Sequence, residues 1–422
     1  METYGKILLY AMPSFLVLVL FEKWWGWRKG NDTVRTNDMI SSLSSGMTNV
    51  TKDVLGLSVI IISYPWLMSK VQLLQVPTGW VTYAVAFIAL DFAGYWVHRI
   101  AHQYNLFWNN HIIHHSSEEF NLACALRQSI SSILKIFTVF LLPAAILGVP
   151  QNVIAIVAPL HLFAQFWYHT QHIGRMGFLE KIIVTPSHHR VHHAINKEYL
   201  DKNYGQIFIF WDKWFGTYQE EMDAVTAVYG VTRPVQTWNP IKINFMHLWL
   251  LVQDAWHADK LEDKFKIWFM PLGWRPDEVA KKYPIQKIND VFHFQKYDPA
   301  TAKGVIGWSW VQLAILLVFL SYLFGNISKI STPNIFLYGA FVFLTVYAMT
   351  DLMDKNFSAI FWEAIRSGFG IYLIVTQGDW FGANTFIDGI SGALVFYFGL
   401  SVIATSYFAL QHNKKNSELK IA

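Results

Sequence analysis

Long apolar stretches, separated by short polar turns, run along most of this chain. Several hold about 15 or more strongly apolar residues, and a helix of ~20 such residues spans the ~30 Å hydrocarbon core of a bilayer. The pattern therefore predicts membrane-spanning helices at residues 7–21, 54–68, 80–97, 305–324, 335–349, 359–375 and 386–410. A longer stretch, 130–168, is divided by Pro143, Gly148 and Pro150, and predicts a hairpin that enters the membrane and returns.

These elements predict an all-α fold, that of a polytopic membrane protein in two parts. Residues 1–300 hold nearly all the histidines and are expected to carry the chemistry, while residues 301–422 are expected to form a transmembrane helical bundle. Of the 422 residues, 53% are hydrophobic and 17% aromatic, more than a soluble protein of this size needs. Buried helices of a soluble protein are the alternative, which the number of apolar stretches disfavours. The first stretch lacks a small-residue cleavage site and is predicted to be a retained anchor.

Charged residues are few and unevenly placed. The formal net charge of +4 is small and unclustered, which gives no electrostatic reason to expect nucleic-acid binding. The first apolar stretch is followed by four basic residues, whereas the turn before Trp80 carries only Lys70. Because basic residues favour the cytoplasmic side, residues 22–50 are expected there, and with them residues 98–129 and 169–304. An active site in these segments would face the cytoplasm.

Histidines give the strongest chemical signal. Of 16 histidines, 12 lie between His98 and His193. Three clusters and one separate residue stand out: His98 and His102; His111, His114 and His115; His169; and His189, His192 and His193. Residues three and four apart share one face of a helix, so each cluster would direct two or three imidazoles at one point. These nine predicted ligands are too many for one metal ion and suffice for two.

The remaining histidines are expected to be structural, with one exception. Burying a group of unpaired imidazoles is costly, and a metal removes that cost, whereas a lone histidine is more often a hydrogen-bonded core or interfacial residue. The role of His188, which directly precedes the third cluster, stays open. Those predicted to be structural are His161, His172, His247, His257, His293 and His412.

Imidazole binds iron, copper, nickel and zinc alike, so the ligand type alone does not identify the metal, but two irons fit this ligand set better than zinc does. The residue after His98 is Arg99, so the segment lacks the glutamate that is the general base in the H-E-x-x-H motif of zinc proteases. A zinc hydrolase also needs only about three protein ligands. Cys124 is the single cysteine, which excludes a thiolate metal cluster and an intramolecular disulfide. A histidine-rich centre with two irons at a membrane surface can activate O2 and oxidise a C–H bond of a lipid. Its partners would be a lipid, O2 and an electron donor.

Several motifs extend this interpretation. These are the segments WVHRIAH, HHSSEEFNLACALRQS, FWYHTQ, TPSHHRVHH and DKNYGQIFIFWDKWFGTY, followed by VYGVTRPVQTWNPIKINF and PLGWRP, within a similarity that covers roughly residues 30–280 in order. They resemble the fatty acid hydroxylase and sterol desaturase superfamily of membrane di-iron oxygenases, and within it the alkylglycerol monooxygenases. The resemblance implies that the carbon beside an ether oxygen is hydroxylated and that the hemiacetal collapses to a fatty aldehyde and a glycerol. It also implies the nine histidines as metal ligands and tetrahydrobiopterin as the source of electrons.

The chain departs from the family pattern at two places. Gln103 and Gln171 stand where the family has glutamate. A carboxylate there could be a ligand, orient a histidine or help to hold a pterin, and an amide is a poorer substitute in each role. The departure weakens the implication of tetrahydrobiopterin more than that of the di-iron centre.

Supporting residues are sought next to the clusters. Ligating imidazoles usually donate their second N–H to a carboxylate or carbonyl, and polar residues flank the second and third clusters. An acidic residue inside the third predicted span, two helical turns before His98, could also support the site. The candidates are Asp91, Glu118, Asn121, Asp201 and Asn203, with an ordinary turn as the alternative for Asn203. Glu363 and Arg366, three apart on one predicted helix, are expected to pair with each other.

Two other functions remain open. Hydroxylation or desaturation of a fatty acyl, sterol or carotenoid substrate would use the same histidine clusters. A histidine-lined metal transporter is the alternative outside the enzymes, and it predicts ligands distributed along the spans at mid-membrane depth.

Overall fold

The computed structural model describes residues 2–60, 62–132 and 134–421, with the side chains of 5–58, 60, 62–132 and 136–411. The α-helices are α1 (Glu2–Lys29), α2 (Thr36–Val54), α3 (Tyr64–Val71), α4 (Trp80–Gln103), α5 (Asn105–Trp108), α6 (Ile112–His115), α7 (Leu142–Ile146), α8 (Gln151–Phe163), α9 (Pro186–His193), α10 (Phe210–Trp214), α11 (Pro240–His257), α12 (Leu261–Lys266), α13 (Asp277–Lys282), α14 (Lys303–Asn326), α15 (Thr332–Met353), α16 (Ala359–Gln377) and α17 (Ile390–Ile421). Short 3-10 helices lie at Cys124–Leu126, Phe137–Leu141, Gly177–Lys181 and Ala383–Thr385.

Six helices among the described residues are long and apolar enough to cross a membrane. They are Gly5–Lys29 of α1, α4, α14, α15, α16 and Ile390–Gln411 of α17. Six of the predicted spans overlap these helices, so the prediction of a multi-pass membrane protein is confirmed.

The span predicted at residues 54–68 is wrong. Helix α2 ends at Val54, and Gly56, with a φ of 66°, takes the left-handed conformation that ends a helix. A short strand β1 (Val59–Ile60) follows and pairs in parallel with β2 (Leu134–Lys135), a small departure from the predicted all-α fold. Helix α3 then starts anew, because Ser63 caps it and Pro65 fits its first turn.

The polar helix α2 was not anticipated by the apolar pattern. Most of its residues are buried, and it packs against α14 and α15. Its buried hydroxyl groups have acceptors, some within the helix and some on other segments. Ser44 donates to Ile40 O and Thr51 to Met47 O, while Ser41 donates to the distant Trp238 O, each at 2.7 Å. A helix whose hydroxyl groups have such acceptors can lie inside an apolar bundle.

The predicted hairpin at 130–168 is present in a shorter form. A 3-10 turn and α7 lead to a bend at Gly148, whose φ is 73°, and α8 returns. Both arms pack along α4, where residues such as Val153 and Val157 join Leu90 in an apolar core. These arms are shorter than the six candidate spans.

The largest apolar core joins both ends of the chain. It contains residues of α1 and α2 together with residues of α14, α15, α16 and α17. The division into 1–300 and 301–422 stays a prediction. Inside this bundle Arg366 forms an ion pair with Glu363, and both side chains are buried, which confirms the predicted pairing.

Candidate metal centre

All nine predicted ligand histidines lie together at the C-terminal end of α4. One group contains His98, His102, His111, His115 and His192, and the other contains His114, His169, His189 and His193. Within each group the candidate ligand nitrogens lie within 4.8 Å of one another. The groups are neighbours, since the rings of His115 and His193 stack with centroids 4.3 Å apart. This is a compact arrangement at the end of a span, unlike the distributed ligands that a transport path requires.

The long helix α4 and the short helices α6 and α9 position most of these side chains. His98 and His102 are four apart near the end of α4, which places both on one face. Helix α6 carries His114 and His115, whose directions differ by about 100° because they are adjacent in a helix, so they belong to different groups. Helix α9 divides its histidines in the same way, with His189 and His193 in one group and His192 in the other.

The sequence TPSHHRVHH explains why α9 begins where it does. Thr185 has an extended conformation and its side chain caps the helix, while Pro186 occupies the first helical position, where its missing N–H costs nothing. His188 completes the capping box and lies outside both groups. Its position one residue before the cluster thus contributes to the start of α9.

Backbone carbonyls orient four of the nine rings. Because a carbonyl can only accept, the Nδ1 of each ring carries the proton and its Nε2 presents a free lone pair. The four pairs, at 2.9 to 3.3 Å, are His98 with Tyr204 O, His114 with Arg127 O, His169 with Gln165 O and His192 with Lys202 O.

The free lone pairs of these rings point towards one another. Nε2 of His169 and Nε2 of His114 are 3.4 Å apart, and both rings hold their proton on Nδ1, so two lone pairs face each other. Nε2 of His102 is buried and has no hydrogen-bond partner among the described residues. Such an arrangement is repulsive without a cation and favourable around one, so these residues fit a metal.

Burial also keeps these imidazoles neutral. The pKa of His114 is lowered to about 3, chiefly because burial disfavours the charged form. The pKa values of His115, His189 and His193 are lowered well below the usual value, by burial first and then by the neighbouring histidines. A neutral imidazole is the form that binds a metal.

Asp91 bonds to a loop beside the histidine groups and, in the described part of the chain, has no hydrogen bond to the nine clustered histidines. Its carboxylate accepts from Ile207 N at 2.8 Å, Phe208 N at 3.1 Å and Trp211 Nε1 at 2.8 Å, and it contacts His161 Nε2 at 2.8 Å. It therefore anchors the loop that includes Tyr204, whose carbonyl orients His98.

The predicted pair Asp201 and Asn203 belongs to the same loop. Asp201 Oδ1 lies 3.8 Å from His102 Nδ1, and its side chain is largely exposed. Asn203, with a φ of 56°, donates to His188 O and Gln219 O. This turn also contacts the histidine groups, because the carbonyls of Lys202 and Tyr204 on either side of Asn203 accept from His192 and His98.

Glu118 and Asn121 have other partners. Glu118 accepts from Tyr297 N at 2.6 Å, and burial raises its pKa to about 7. Asn121 donates to Thr33 O and accepts from Ala123 N and Cys124 N, so it shapes the turn after the second cluster. Neither residue has a hydrogen bond to a clustered histidine in the part of the chain described.

Histidines predicted to be structural lie outside the two groups. His161 contacts Asp91, His172 contacts Thr33 at 3.2 Å and His247 contacts Asn105 O at 3.0 Å. His257 and His293 contact Gln253 O and Asp290. The His412 side chain lies outside the described residues.

Sequence reasoning missed the residues that hold the histidine segments together. Arg190 of α9 binds Glu221 through two hydrogen bonds of 2.7 Å. Arg127, whose carbonyl orients His114, forms a buried ion pair with Asp38 at 2.7 Å. Glu22 of α1 accepts from Thr170 Oγ1 at 2.6 Å, next to His169. Their charges next to the clusters or in an apolar span were the available signal, but the partners are 31 to 148 residues away in the chain.

The sequence of this chain is similar to those of known proteins. Residues 83–217, which contain all nine histidines, match the family model described as fatty acid hydroxylase. Alkylglycerol monooxygenase of Homo sapiens is 35% identical over 365 residues, covering 84% of this chain and 80% of that protein. The chain belongs to the fatty acid hydroxylase family. It is a membrane lipid monooxygenase, an oxidoreductase, and its histidine groups fit iron.

Other members of the fatty acid hydroxylase family are also similar. Alkylglycerol monooxygenase of Danio rerio is 32% identical over 422 residues, covering 99% of this chain and 92% of that protein. An ornithine lipid hydroxylase of Rhizobium tropici is 27% identical over 148 residues, 35% of this chain and 45% of that protein. No solved structure is detectably similar. The resemblance inferred from the motifs is confirmed.

Proposed function

We propose that this protein cleaves the ether bond of an alkylglycerol lipid by oxidation. One atom of O2 enters as a hydroxyl on the carbon beside the ether oxygen, and the other leaves as water with two electrons and two protons from a donor. The hemiacetal then breaks its C–O bond, which yields a fatty aldehyde and a glycerol. The observation that carries the proposal is the pair of adjacent histidine groups in a chain similar to alkylglycerol monooxygenases over most of its length.

The proposal assigns one iron to each histidine group. Five and four imidazoles are suitable numbers for two irons, and the stacked His115 and His193 keep the groups side by side. Iron bound there would supply the activation of O2. The protein's own contribution is to hold four of the nine rings by their Nδ1 and to present neutral imidazoles. Asp91, Glu118, Asn121, Asp201 and Asn203 support the segments that carry the clusters.

The proposed orientation places the site on the cytoplasmic face. It is supported by the basic residues after the first span and by hydrogen bonds that join the end of that span to the other two segments. Glu22 accepts from Leu122 N and Thr170 Oγ1, and Asn121 donates to Thr33 O. Within that arrangement residues 1–300 carry the oxygenase and residues 301–422 a helical bundle that supports it in the membrane.

Tetrahydrobiopterin is the electron donor that the resemblance of the motifs implies, and it needs a separate test. Gln171 donates to Phe120 O at 3.0 Å, so its amide is used within the protein, and Gln103 also offers no carboxylate. Turnover with tetrahydrobiopterin, compared with turnover with a ferredoxin or cytochrome donor, distinguishes a pterin from a protein donor.

Product analysis tests the proposed reaction. The iron-loaded protein in lipid nanodiscs is given a 1-O-alkylglycerol under O2 with a reductant, and the products are separated by mass spectrometry. Equal amounts of fatty aldehyde and glycerol are expected, and ¹⁸O2 should label the aldehyde. A retained alcohol or an alkene would instead indicate hydroxylation or desaturation without ether cleavage and contradict the proposal.

A further inference from the structure

An exposed aromatic face lies outside the six candidate spans. On α11 the exposed large apolar residues are Phe245, Trp249, Val252 and Trp256. Their spacing of four, three and four residues puts them in one stripe on one side of the helix. The opposite side, including Ile243, His247 and Leu251, is buried in the protein. The stripe carries no charged residue, and Trp256 is 80% exposed.

The next segment continues this face. Leu261, Phe265, Phe269 and Leu272 are all exposed, with Phe265 at 67%. Arg275 binds Asp254 of α11 through two hydrogen bonds, of 2.6 and 2.7 Å, in a buried ion pair that fixes this segment to the helix. The exposed face of residues 245–272 is thus large, apolar and rigidly supported, unlike the scattered apolar residues of ordinary surfaces.

The level of this face relative to the bilayer follows from its hydrogen bonds. Leu272 N donates to the carbonyl of Gln103 at 2.8 Å, and Asn105 N donates to that of Met270 at 3.1 Å. Gln103 is the last residue of the candidate span α4. The face therefore lies where a span leaves the membrane, on the side that holds the histidines. Tryptophan and phenylalanine in this number, without a charge among them, are typical of groups that lie in the membrane interface.

We propose that the exposed face of residues 245–272 inserts into the interfacial layer of the bilayer. The occupant of this surface is lipid, and the contact is made by the apolar side chains. The charged residues beside the face do not form a patch of one sign, since acidic and basic residues alternate there and pair with each other, as Glu262 and Lys266 do. The segment bonds directly to residues 103–105, between His102 and His111, so the insertion sets the depth of the histidine groups at the level of lipid head groups. This inference does not depend on the reaction proposed above.

Spin labels measure the proposed insertion. Trp256→Cys and Phe265→Cys are each labelled with a nitroxide in the full-length protein in phosphatidylcholine nanodiscs. Cys124 is buried and stays unlabelled. The control is Phe292→Cys, which replaces an exposed aromatic residue beside the exposed pair Asp290 and His293. Collision rates with O2, which concentrates in lipid, and with a water-soluble nickel chelate are compared.

The spin labels at positions 256 and 265 should collide several-fold more often with O2, and several-fold less often with the nickel chelate, than the label at the control position does. The replaced side chains are exposed, so packing is undisturbed, and either position alone suffices if the other variant is poorly produced. Equal access of the nickel chelate at all three positions would overturn the proposal and leave the face free for a soluble partner.

Discussion

Arg190 joins the third histidine helix to the segment after His169, and replacing it tests how the site is supported. Arg190 is 9% exposed. It binds Glu221 twice at 2.7 Å and donates to the carbonyls of Thr170 at 3.2 Å and Ile173 at 2.8 Å. Arg190→Ala removes all four hydrogen bonds and leaves a carboxylate without its partner.

The expected cost follows from these contacts. Breaking a buried ion pair by removing one partner costs about 3–5 kcal/mol. The Glu221 side chain is 20% exposed, so water can solvate the freed carboxylate, and we expect a loss of ~2–4 kcal/mol of stability. Because the contact joins His189 and His193 to His169, the four-histidine group should lose metal affinity by ~10–100-fold, as when other supporting contacts are removed.

The assay is thermal unfolding in detergent together with iron content. Arg190→Ala should lower the Tm by roughly 2–5 °C and reduce bound iron by roughly half. Arg175→Ala is the matched control, since Arg175 is 41% exposed and pairs with Glu220 and Asp223, which are more exposed still. If both variants have the same Tm and iron content, the support assigned to Arg190 is refuted.

Three further results are expected. The metal-free protein should have a lower Tm at about pH 5.5 than at about pH 7.5. The reason is that buried imidazoles such as that of His114, with a pKa of about 3, stay unprotonated in the folded protein, whereas the histidines of the unfolded chain bind protons below about pH 6.5. An equal Tm at the two pH values would contradict this. Cys124 should react with thiol reagents only after unfolding, since burial shields it and raises its pKa, and rapid reaction of the folded protein would show otherwise. Glu22→Ala should cost ~2–3 kcal/mol in unfolding measurements, because Thr170 and Leu122 N lose an acceptor at 2.6 Å, and a change below ~0.5 kcal/mol would contradict that role.

Much of the fold was predictable from the apolar pattern. Helices such as α4 and α14 are uniformly apolar, and their length alone indicates a span. The pattern failed at residues 54–68, where Gly56 and Pro65 interrupt an apolar run, and at α2, where hydroxyl groups such as that of Ser44 donate to carbonyls of the same helix. A hydropathy value depends only on residue type, so it does not show whether a hydroxyl group has a hydrogen-bond acceptor nearby.

The histidine groups were predictable because spacing on a helix is a local property. The division between the groups was not, since it depends on how α6 and α9 meet α4. The supporting residues were harder to find still. The carbonyls of Lys202 and Tyr204 orient His192 and His98. Every residue has a backbone carbonyl, so the amino-acid sequence does not indicate which carbonyls accept from a histidine.

Iron content tests the central claim most directly. Full-length protein is purified in detergent and its iron measured by mass spectrometry, beside a triple variant with His189, His192 and His193 changed to alanine. The control is His188→Ala, on the same helix and outside both groups. About two irons per chain, lost in the triple variant and kept in the control, are expected from two groups of four and five ligands. Absence of iron, or iron that survives the triple change, would contradict the di-iron account.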